Sequence, residues 1–180
     1  MKKQGFTLIE LMVVIVIMGI LAAVAVPKLF GMIAKSKASE VGPAAGTYVK
    51  LQDAYAAETG AAGSWKVIGY IGPGEKSGNT KSGTTVFAYE DEFTPKDTEK
   101  ETTMVGKLAD GDDGEKGWSA KAKTALNDCK IDSKWTINIA VGDANGSGST
   151  IKYISKVPQD GSGADANCLS LTANFENIGK

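Results

Sequence analysis

The sequence contains no arginine and no histidine among its 180 residues. Without arginine, the chain has no side chain that clamps a phosphate with two parallel hydrogen bonds. Without histidine, it lacks the commonest general base and metal ligand. It also has no P-loop, no dinucleotide fingerprint and no Gly-x-Ser-x-Gly nucleophile motif. These absences argue against catalysis, so we expect neither an enzyme nor a bound cofactor.

Charge is low and mixed, with 20 lysines against 21 acidic residues and a formal net charge of −1. The lysines are scattered and do not form the basic stripe that is typical of nucleic-acid-binding proteins. The sequence therefore gives no signal for nucleic acid. By length, the chain fits one domain plus an anchor.

One long stretch, Leu11–Pro27, carries no charge at all. With its flanks it covers residues 6–30, which is long enough to cross a hydrocarbon core as a helix. It is apolar on all sides, as expected of a membrane helix rather than of an amphipathic one. Basic residues precede it at Lys2 and Lys3 and return only at Lys28. This distribution predicts an N-terminus in the cytoplasm and the rest of the chain outside.

The order of these N-terminal features differs from that of an ordinary secretory signal peptide, which is cleaved after its apolar core. Here the processing point that the sequence offers is Gly5, in front of the core. Cleavage after Gly5 would remove two lysines, bring the net charge near −3 and keep the apolar segment. We therefore expect this segment to work in the mature protein. Gly19, with nearby alanines, would permit close approach between helices.

Glu10 is the single charged residue between Phe6 and Pro27. A carboxylate inside a membrane helix costs about 2.5–3.5 kcal/mol on insertion scales. It could snorkel to the lipid headgroups, or it could pair with a cation. Cleavage after Gly5 would create an amine at Phe6, and the two charges could pair within one chain or between neighbours. A pair between neighbours would make the helix an assembly element with a fixed stagger.

The segment Gly5–Glu10, GFTLIE, followed by the uncharged run, resembles the class III leader and N-terminal helix of type IV pilins and pseudopilins. The resemblance covers the N-terminal helical region only. It implies cleavage after Gly5 by a prepilin peptidase, N-methylation of Phe6 and polymerisation from the inner membrane into a filament. It also implies that Glu10 neutralises the Phe6 amine of an adjacent subunit. Pro27 matches a position where the helix bends or partly melts in the filament.

Two cysteines, Cys129 and Cys168, lie in the part of the chain that is expected outside the cytoplasm. An even count in an oxidising compartment favours one disulfide, and two unpaired buried thiols are the alternative. The spacing does not match a redox or zinc motif. The resemblance to pilins likewise implies a disulfide that ties a late segment to the C-terminal strand.

The pattern along the chain predicts an α+β fold. A long N-terminal helix, membrane-spanning in its first half and amphipathic in its second, would pack on a C-terminal antiparallel β-sheet with one apolar face. Gly42 and Pro43 should kink or break the helix, and Gly60 should end it. The expected layout is a leader at 1–5, a transmembrane and assembly helix at 6–30, an amphipathic helix at 31–59 and a globular domain at 60–180.

The region after the helix predicts a loop with one short strand or turn at 60–83, followed by β-structure. Trp118 and Trp135 stand in phase with apolar neighbours, so we expect both in the core. Trp65 and Tyr70 lie in the predicted loop, and we expect them to be exposed, where they could contact sugars or other surfaces. The predicted strands are Thr84–Tyr89, Thr102–Leu108, Trp118–Leu126, Trp135–Val141, Ile151–Val157 and Cys168–Phe175.

The acidic loop at 110–115 holds four carboxylates, which could attract calcium, and some pseudopilins carry calcium in a C-terminal loop. The spacing of an EF-hand is absent, so we expect a solvated turn and no metal. Asp143 and Asn145, in a later connector, are even weaker candidates for metal binding, because turns favour these residue types anyway. The weak metal candidates are Asp110, Asp112 and Asp113.

The sequence therefore predicts a structural subunit of a type IV pilus. Its partners would be other copies in a filament, the prepilin peptidase and the inner-membrane assembly machinery, with the membrane as its site before assembly. The precursor would lie in the inner membrane and the filament on the bacterial surface. The alternatives are a pseudopilin of a type II secretion system, a minor pilin, or a surface adhesin that binds polysaccharide through exposed loops.

Overall fold

Two consecutive helices form the N-terminal third of the protein in this computed structural model, which describes residues 5–111, 113–142, 150–161 and 163–180. Helix α1 spans Leu8–Ala38 and helix α2 spans Val41–Thr59. A two-residue turn at Ser39 and Glu40 separates them. Helix α2 ends at Gly60, whose φ of 69° is the left-handed conformation that glycine adopts at low cost. The predicted end of the helical region is therefore confirmed.

The interruption of the helical region lies just before the predicted point. Gly42 and Pro43 were expected to break the helix, yet both fall in the first turn of α2. A proline is tolerated there, because the first N–H groups of a helix have no partner within the helix. The break instead falls at Ser39 and Glu40. Pro27 also lies inside α1, which continues through it.

Short helices and strands make up the rest of the described chain. The residues after α2 form two antiparallel sheets, which confirms the predicted α+β class. Their elements are β1 (Ala61–Gly63), α3 (Trp65–Ile68), β2 (Glu75–Ser77), β3 (Lys81–Gly83), β4 (Phe87–Asp91), β5 (Thr102–Met104), β6 (Glu115–Ala122), β7 (Lys134–Val141), β8 (Ile151–Lys156) and α4 (Ala166–Leu171).

Among the described residues, six strands form the main sheet in the order β2-β3-β4-β6-β7-β8, with every neighbouring pair antiparallel. Strands β1 and β5 pair separately beside the end of α2. Five of the six predicted strands coincide with a strand to within a few residues. Two 3₁₀ turns, Val105–Lys107 and Phe175–Asn177, follow β5 and α4.

The predicted strand Cys168–Phe175 is wrong, because this segment contains most of α4 and then a 3₁₀ turn. Asp165 caps α4, since its carboxylate accepts a hydrogen bond from the Asn167 N–H at 2.9 Å. This cap supports a helix that is too short to show its own periodicity. The disulfide partner of Cys129 is therefore on a helix rather than on a C-terminal strand.

The predicted exposure of Trp65 and Tyr70 is also wrong, since these side chains are 2% and 4% exposed. Trp65 begins α3, and the two rings pack edge to face. The Tyr70 hydroxyl donates to the Ala44 carbonyl of α2 and accepts a hydrogen bond from the Trp118 indole, at 3.1 and 3.0 Å. These bonds tie the segment after α3 to both α2 and the sheet.

The core lies between α2 and one face of the main sheet, as the sequence predicted. Trp118 and Trp135 are both buried. Ser119 is buried too, on the face expected to be polar, because its hydroxyl donates to Glu92 at 2.9 Å. The buried face of α2 consists of Val41, Ala44, Ala45, Tyr48, Val49, Gln52 and Ala56.

A bulge in β6 brings α2 unusually close to the sheet. The register of β6 against β7 shifts between Lys116 and Trp118. A Cβ atom on Gly117 would lie 2.5 Å from the Tyr48 hydroxyl and 3.1 Å from the Ile137 carbonyl oxygen. Glycine is therefore required at this point, where the Tyr48 hydroxyl of α2 meets the sheet backbone.

Candidate assembly surface on the N-terminal helix

Helix α1 begins with a reciprocal pair of hydrogen bonds between Thr7 and Glu10. The Thr7 N–H and hydroxyl donate to Glu10 Oε2 at 2.8 and 2.6 Å. The Glu10 N–H donates back to the Thr7 hydroxyl at 3.4 Å. This arrangement is a capping box, in which Thr7 is the N-cap and Glu10 the third helical residue. It fixes the orientation of the Glu10 carboxylate.

This capping role of Glu10 was not predicted from the sequence, although the motif Thr-x-x-Glu at positions 7 to 10 is a recognised helix-start signal. Both hydrogen bonds to the carboxylate reach Oε2. Among the residues that the structure describes, these bonds use one of the two carboxylate oxygens. Capping and pairing with a second donor are therefore compatible at this residue.

Gly5 and Phe6 lie outside the helix, at its exposed start. Helix α1 begins only at Leu8, and the Phe6 side chain is 84% exposed. The peptide bond between Gly5 and Phe6, where the sequence predicts cleavage, thus lies in non-helical chain. An enzyme that must bind extended chain would find this bond without unwinding α1.

The surface of α1 is apolar and uncovered over residues 8–33. The large apolar side chains in this range are between 42% and 75% exposed, and the first buried residue of the helix is Ala34. Such an area far exceeds the apolar patches that monomeric proteins tolerate in water. By length and composition this helical region can cross a membrane. It needs either lipid or other apolar helices around it.

Gly19 lies in the middle of this surface. Apart from the adjoining residues and the backbone of α1 itself, no described atom lies within 4 Å of the position that a Cβ on Gly19 would occupy. The residue therefore leaves a shallow notch on an otherwise bulky helix, which would let a second helix approach closely. The structure places Gly19, like Glu10 and Pro27, on the exposed part of α1.

The junction between α1 and α2 is anchored to the sheet through Glu40. Its carboxylate accepts hydrogen bonds from the Thr84 hydroxyl at 2.7 Å and the Tyr89 hydroxyl at 3.0 Å. Burial, together with the adjacent Glu40 charge, raises the pKa of the Tyr89 hydroxyl, so that it stays a neutral donor. This role of Glu40 was not predicted from the sequence. Its contact sets where the exposed helix leaves the globular part.

The predicted disulfide between Cys129 and Cys168 is present. Both cysteines are fully buried. Cys129 follows β6 and Cys168 lies on α4, which contacts α1. The bond therefore ties α4, which contacts α1, to the part of the chain that follows β6.

The acidic loop is not brought together as a metal site in the part of the chain that the structure describes. Asp113 accepts a hydrogen bond from the Lys156 ammonium at 2.8 Å. No group of three or more metal-ligating side chains occurs among the described residues. Asp112, Asp143 and Asn145 lie outside them.

Comparison with known proteins assigns the N-terminal region. Residues 1–26 match the family described as the prokaryotic N-terminal methylation motif. The type IV major pilin protein PilA of Myxococcus xanthus is 56% identical over 39 residues, which cover 22% of this chain and 18% of that protein. The type IV major fimbrial protein FimA of Dichelobacter nodosus is 56% identical over 39 residues, or 22% of this chain and 25% of its own.

The match thus spans a quarter or less of the length of these relatives and does not extend into the β-sheet region of this chain. Over the matched stretch, the similarity confirms the resemblance that the GFTLIE segment predicted. The N-terminal region thus carries the prokaryotic N-terminal methylation motif and is similar to the corresponding region of type IV pilins.

Proposed function

We propose that this protein is the structural subunit of a type IV pilus filament and polymerises through α1 after its leader is removed. The observation that carries the proposal is the uncovered apolar surface of residues 8–33, headed by a single oriented carboxylate at Glu10. Apolar packing between copies of α1 would cover this surface. The globular part would then face outward, held at the Glu40 junction.

The carboxylate of Glu10 favours assembly over simple anchoring. A helix that serves only as an anchor could complete the same capping box with an uncharged glutamine, so capping alone does not account for a carboxylate that costs about 2.5–3.5 kcal/mol to insert. A subunit that joins a helical core must bury the amine left at Phe6 by cleavage. An ammonium buried without a partner is strongly unfavourable, and Glu10 of a neighbouring copy would supply that partner.

Location and partners follow from this proposal. The precursor would span the inner membrane, where a prepilin peptidase would cut after Gly5 and methylate Phe6. The assembly machinery of that membrane would then extract the mature chain into a filament on the bacterial surface. Insertion into the membrane and packing into a filament both need the side chains of α1 to be exposed, as they are over residues 8–33.

The capping box makes a sharper test of Glu10 possible. Glu10→Gln keeps the capping box, since glutamine serves at this position, but it removes the charge. Thr7→Ala weakens the cap by about 1 kcal/mol and keeps the charge. Glu10→Ala removes both. We expect Glu10→Gln and Glu10→Ala to enter the membrane and be processed normally, yet to give few filaments, whereas Thr7→Ala should assemble.

The measurement compares the membrane pool with the sheared-filament fraction for the wild type and the three variants in one strain. Filament loss in Thr7→Ala and Glu10→Ala, with normal yield from Glu10→Gln, would show that Glu10 acts only as a cap. Normal yield from all three would remove the physical argument for a staggered helical core.

A further inference from the structure

Three lysines follow the uncharged part of α1, just before the helix reaches the globular part. Lys28, Lys35 and Lys37 are all exposed, and their ammonium groups form no ion pair with any residue that the structure describes. No acidic residue occurs in the sequence from 11 to 39. Residues 28–37, which we call the juxtamembrane band, therefore carry three uncompensated positive charges.

The usual rule of membrane topology does not account for these lysines. By that rule, basic residues are concentrated on the cytoplasmic side of a membrane helix and are sparse on the other side. Here two lysines precede the helix, and three lie within ten residues beyond Pro27. Lys35 and Lys37, in the last turn of α1, also favour its C-terminal end through the helix dipole. Lys28 lies before that turn, so neither explanation applies to it.

The dimensions of α1 place the juxtamembrane band at the height of the lipid headgroups. Residues 8–27 form a helical length of about 30 Å, which equals the hydrocarbon thickness of a bilayer. Lys28 is then the first residue beyond the hydrocarbon. The first buried residue of α1, Ala34, lies about 10 Å beyond Pro27. A headgroup layer of about 5–7 Å on each side fits within this exposed stretch, below the globular part.

The lysines surround the helix and do not form a stripe. At 3.6 residues per turn, Lys28 and Lys35 lie on one side, two turns apart, and Lys37 lies on the opposite side. A single protein partner would contact one side, whereas lipid headgroups surround a lone helix. Between the lysines, Leu29 and Phe30 are 55% and 59% exposed. Lysines mixed with exposed apolar side chains are typical of helical segments at a membrane interface.

We propose that the juxtamembrane band binds anionic phospholipids in the outer leaflet of the inner membrane. The lysine stems would lie along the apolar side chains, and each ammonium would contact a lipid phosphate. These contacts would hold the subunit at a fixed depth, and its extraction into a filament would have to break them. The proposal rests on the membrane location proposed above and not on polymerisation.

The test measures which lipid surrounds α1 when the full chain is reconstituted into vesicles. Val26→Trp places a fluorescent reporter at the edge of the hydrocarbon and leaves the band unchanged. The three native tryptophans are at most 2% exposed, and the wild type supplies their signal for subtraction. The vesicles contain phosphatidylcholine and phosphatidylglycerol, with bromine as a quencher on the acyl chains of one lipid or of the other.

The two quenching curves give the affinity of α1 for phosphatidylglycerol relative to phosphatidylcholine. We expect a ratio of about 5 at low salt, which is the effect of one lysine near a charged surface. The ratio should fall towards 1 at about 0.5 M salt, because salt screens the charges. Combining Lys28→Gln, Lys35→Gln and Lys37→Gln should bring the ratio close to 1 at low salt. Lys28→Gln should have the largest single effect, since this lysine lies nearest the hydrocarbon.

The matched control removes the same charge from three exposed lysines outside the band, through Lys50→Gln, Lys76→Gln and Lys100→Gln. It should leave the ratio at about 5. An equal fall in both triple variants would show an effect of net charge and would overturn the proposal. A ratio that salt does not change would overturn it too.

A ratio near 1 with all lysines in place would also overturn the proposal. If the triple variant of the band then failed to form filaments, the lysines would instead pair with carboxylates of another copy. Absence of quenching by either lipid would contradict the membrane location itself. The two failures are therefore distinguishable, because equal quenching by both lipids removes only the headgroup preference.

Discussion

The carboxylate of Asp91, at the end of β4, is half-buried and lies against two backbone N–H groups. It accepts hydrogen bonds from Trp65 at 2.7 Å and from Phe93 at 3.1 Å. Burial nonetheless raises its pKa from the usual 3.8 to about 6, with the charge of Glu101 as a lesser cause. The folded protein therefore holds a proton, at mildly acidic pH, that the unfolded chain releases.

This shift predicts that the free energy of unfolding falls as the pH rises from about 4 to about 6 and that this contribution is constant above. The fall should be about 2 kcal/mol, allowing for partial exposure. Asp91→Asn keeps an acceptor for the Trp65 N–H and cannot titrate, so its stability should lack this fall. Urea unfolding of both proteins at several pH values between about 4 and about 6 measures the difference in their free energies of unfolding. The contributions of other carboxylates, such as Glu101, are present in both proteins and cancel in this difference. Parallel curves for the two proteins would contradict the prediction.

Gly117 gives a second prediction at the scale of single residues. An alanine Cβ there would lie 2.5 Å from the Tyr48 hydroxyl, which is buried and accepts a hydrogen bond from Gln52 at 3.2 Å. Gly117→Ala should therefore lower the free energy of unfolding by about 1–3 kcal/mol. Adding Tyr48→Phe, which removes the clashing oxygen, should recover part of the loss, as measured by chemical unfolding.

Gly106→Ala is the matched control for this prediction, because no described atom outside the adjoining residues and their local backbone lies within 4 Å of the position that its Cβ would occupy. It should change stability little. An equal loss from both alanine variants would show that the loss comes from the glycine backbone and not from contact with Tyr48.

At the scale of elements, the disulfide decides how α4 is held. Helix α4 has six residues, too few to be stable alone, and Cys168 is its buried residue. Replacing Cys129 and Cys168 together by alanine should lower the free energy of unfolding by about 2–5 kcal/mol. Reduction of the wild type should give a similar loss. Rapid alkylation of both cysteines in exported protein without reductant would show that the disulfide is not formed.

The elements that the sequence predicted well are those whose pattern is long or strictly alternating. The uncharged run Leu11–Pro27 predicts the helix, and Trp135, Ile137 and Ile139 predict β7 by alternation. Helix α4 was missed because it depends on the cap at Asp165 and on a bond to a distant cysteine. Such short elements take their structure from contacts that local pattern does not encode.

Among the candidate site residues, the sequence predicted chemical roles better than it predicted which side chains are buried. Glu10 and Phe6 stand out because a lone carboxylate in an apolar run is costly. The exposure of Trp65 was predicted wrongly, because the segment 60–83 is rich in glycine, serine and lysine and was interpreted as a loop, whereas Trp65 is buried by packing that includes Tyr70. The cavity between α3 and the β2–β3 hairpin could not be foreseen from the sequence, since its wall combines residues of both.

For the whole molecule, the proposed filament predicts a single processed form. Protein from sheared filaments should have the intact mass of a chain that begins at Phe6 and carries one added methyl group. The unassembled membrane pool of a strain without the peptidase should retain residues 1–5. Intact-mass spectrometry of both pools checks this expectation, and assembled protein that still begins at Met1 would refute processing before assembly.

The bond between Cys129 and Cys168 also has a mechanical consequence. Strands β7 and β8 lie wholly between the two cysteines, which are 39 residues apart. A force that pulls the chain before Cys129 away from the chain after Cys168 passes through the sulfur atoms and bypasses both strands. If the bond were open, the same pull could lengthen the chain by roughly 130 Å, at about 3.3–3.6 Å per extended residue. With the bond closed, that length is not available to a stretched subunit.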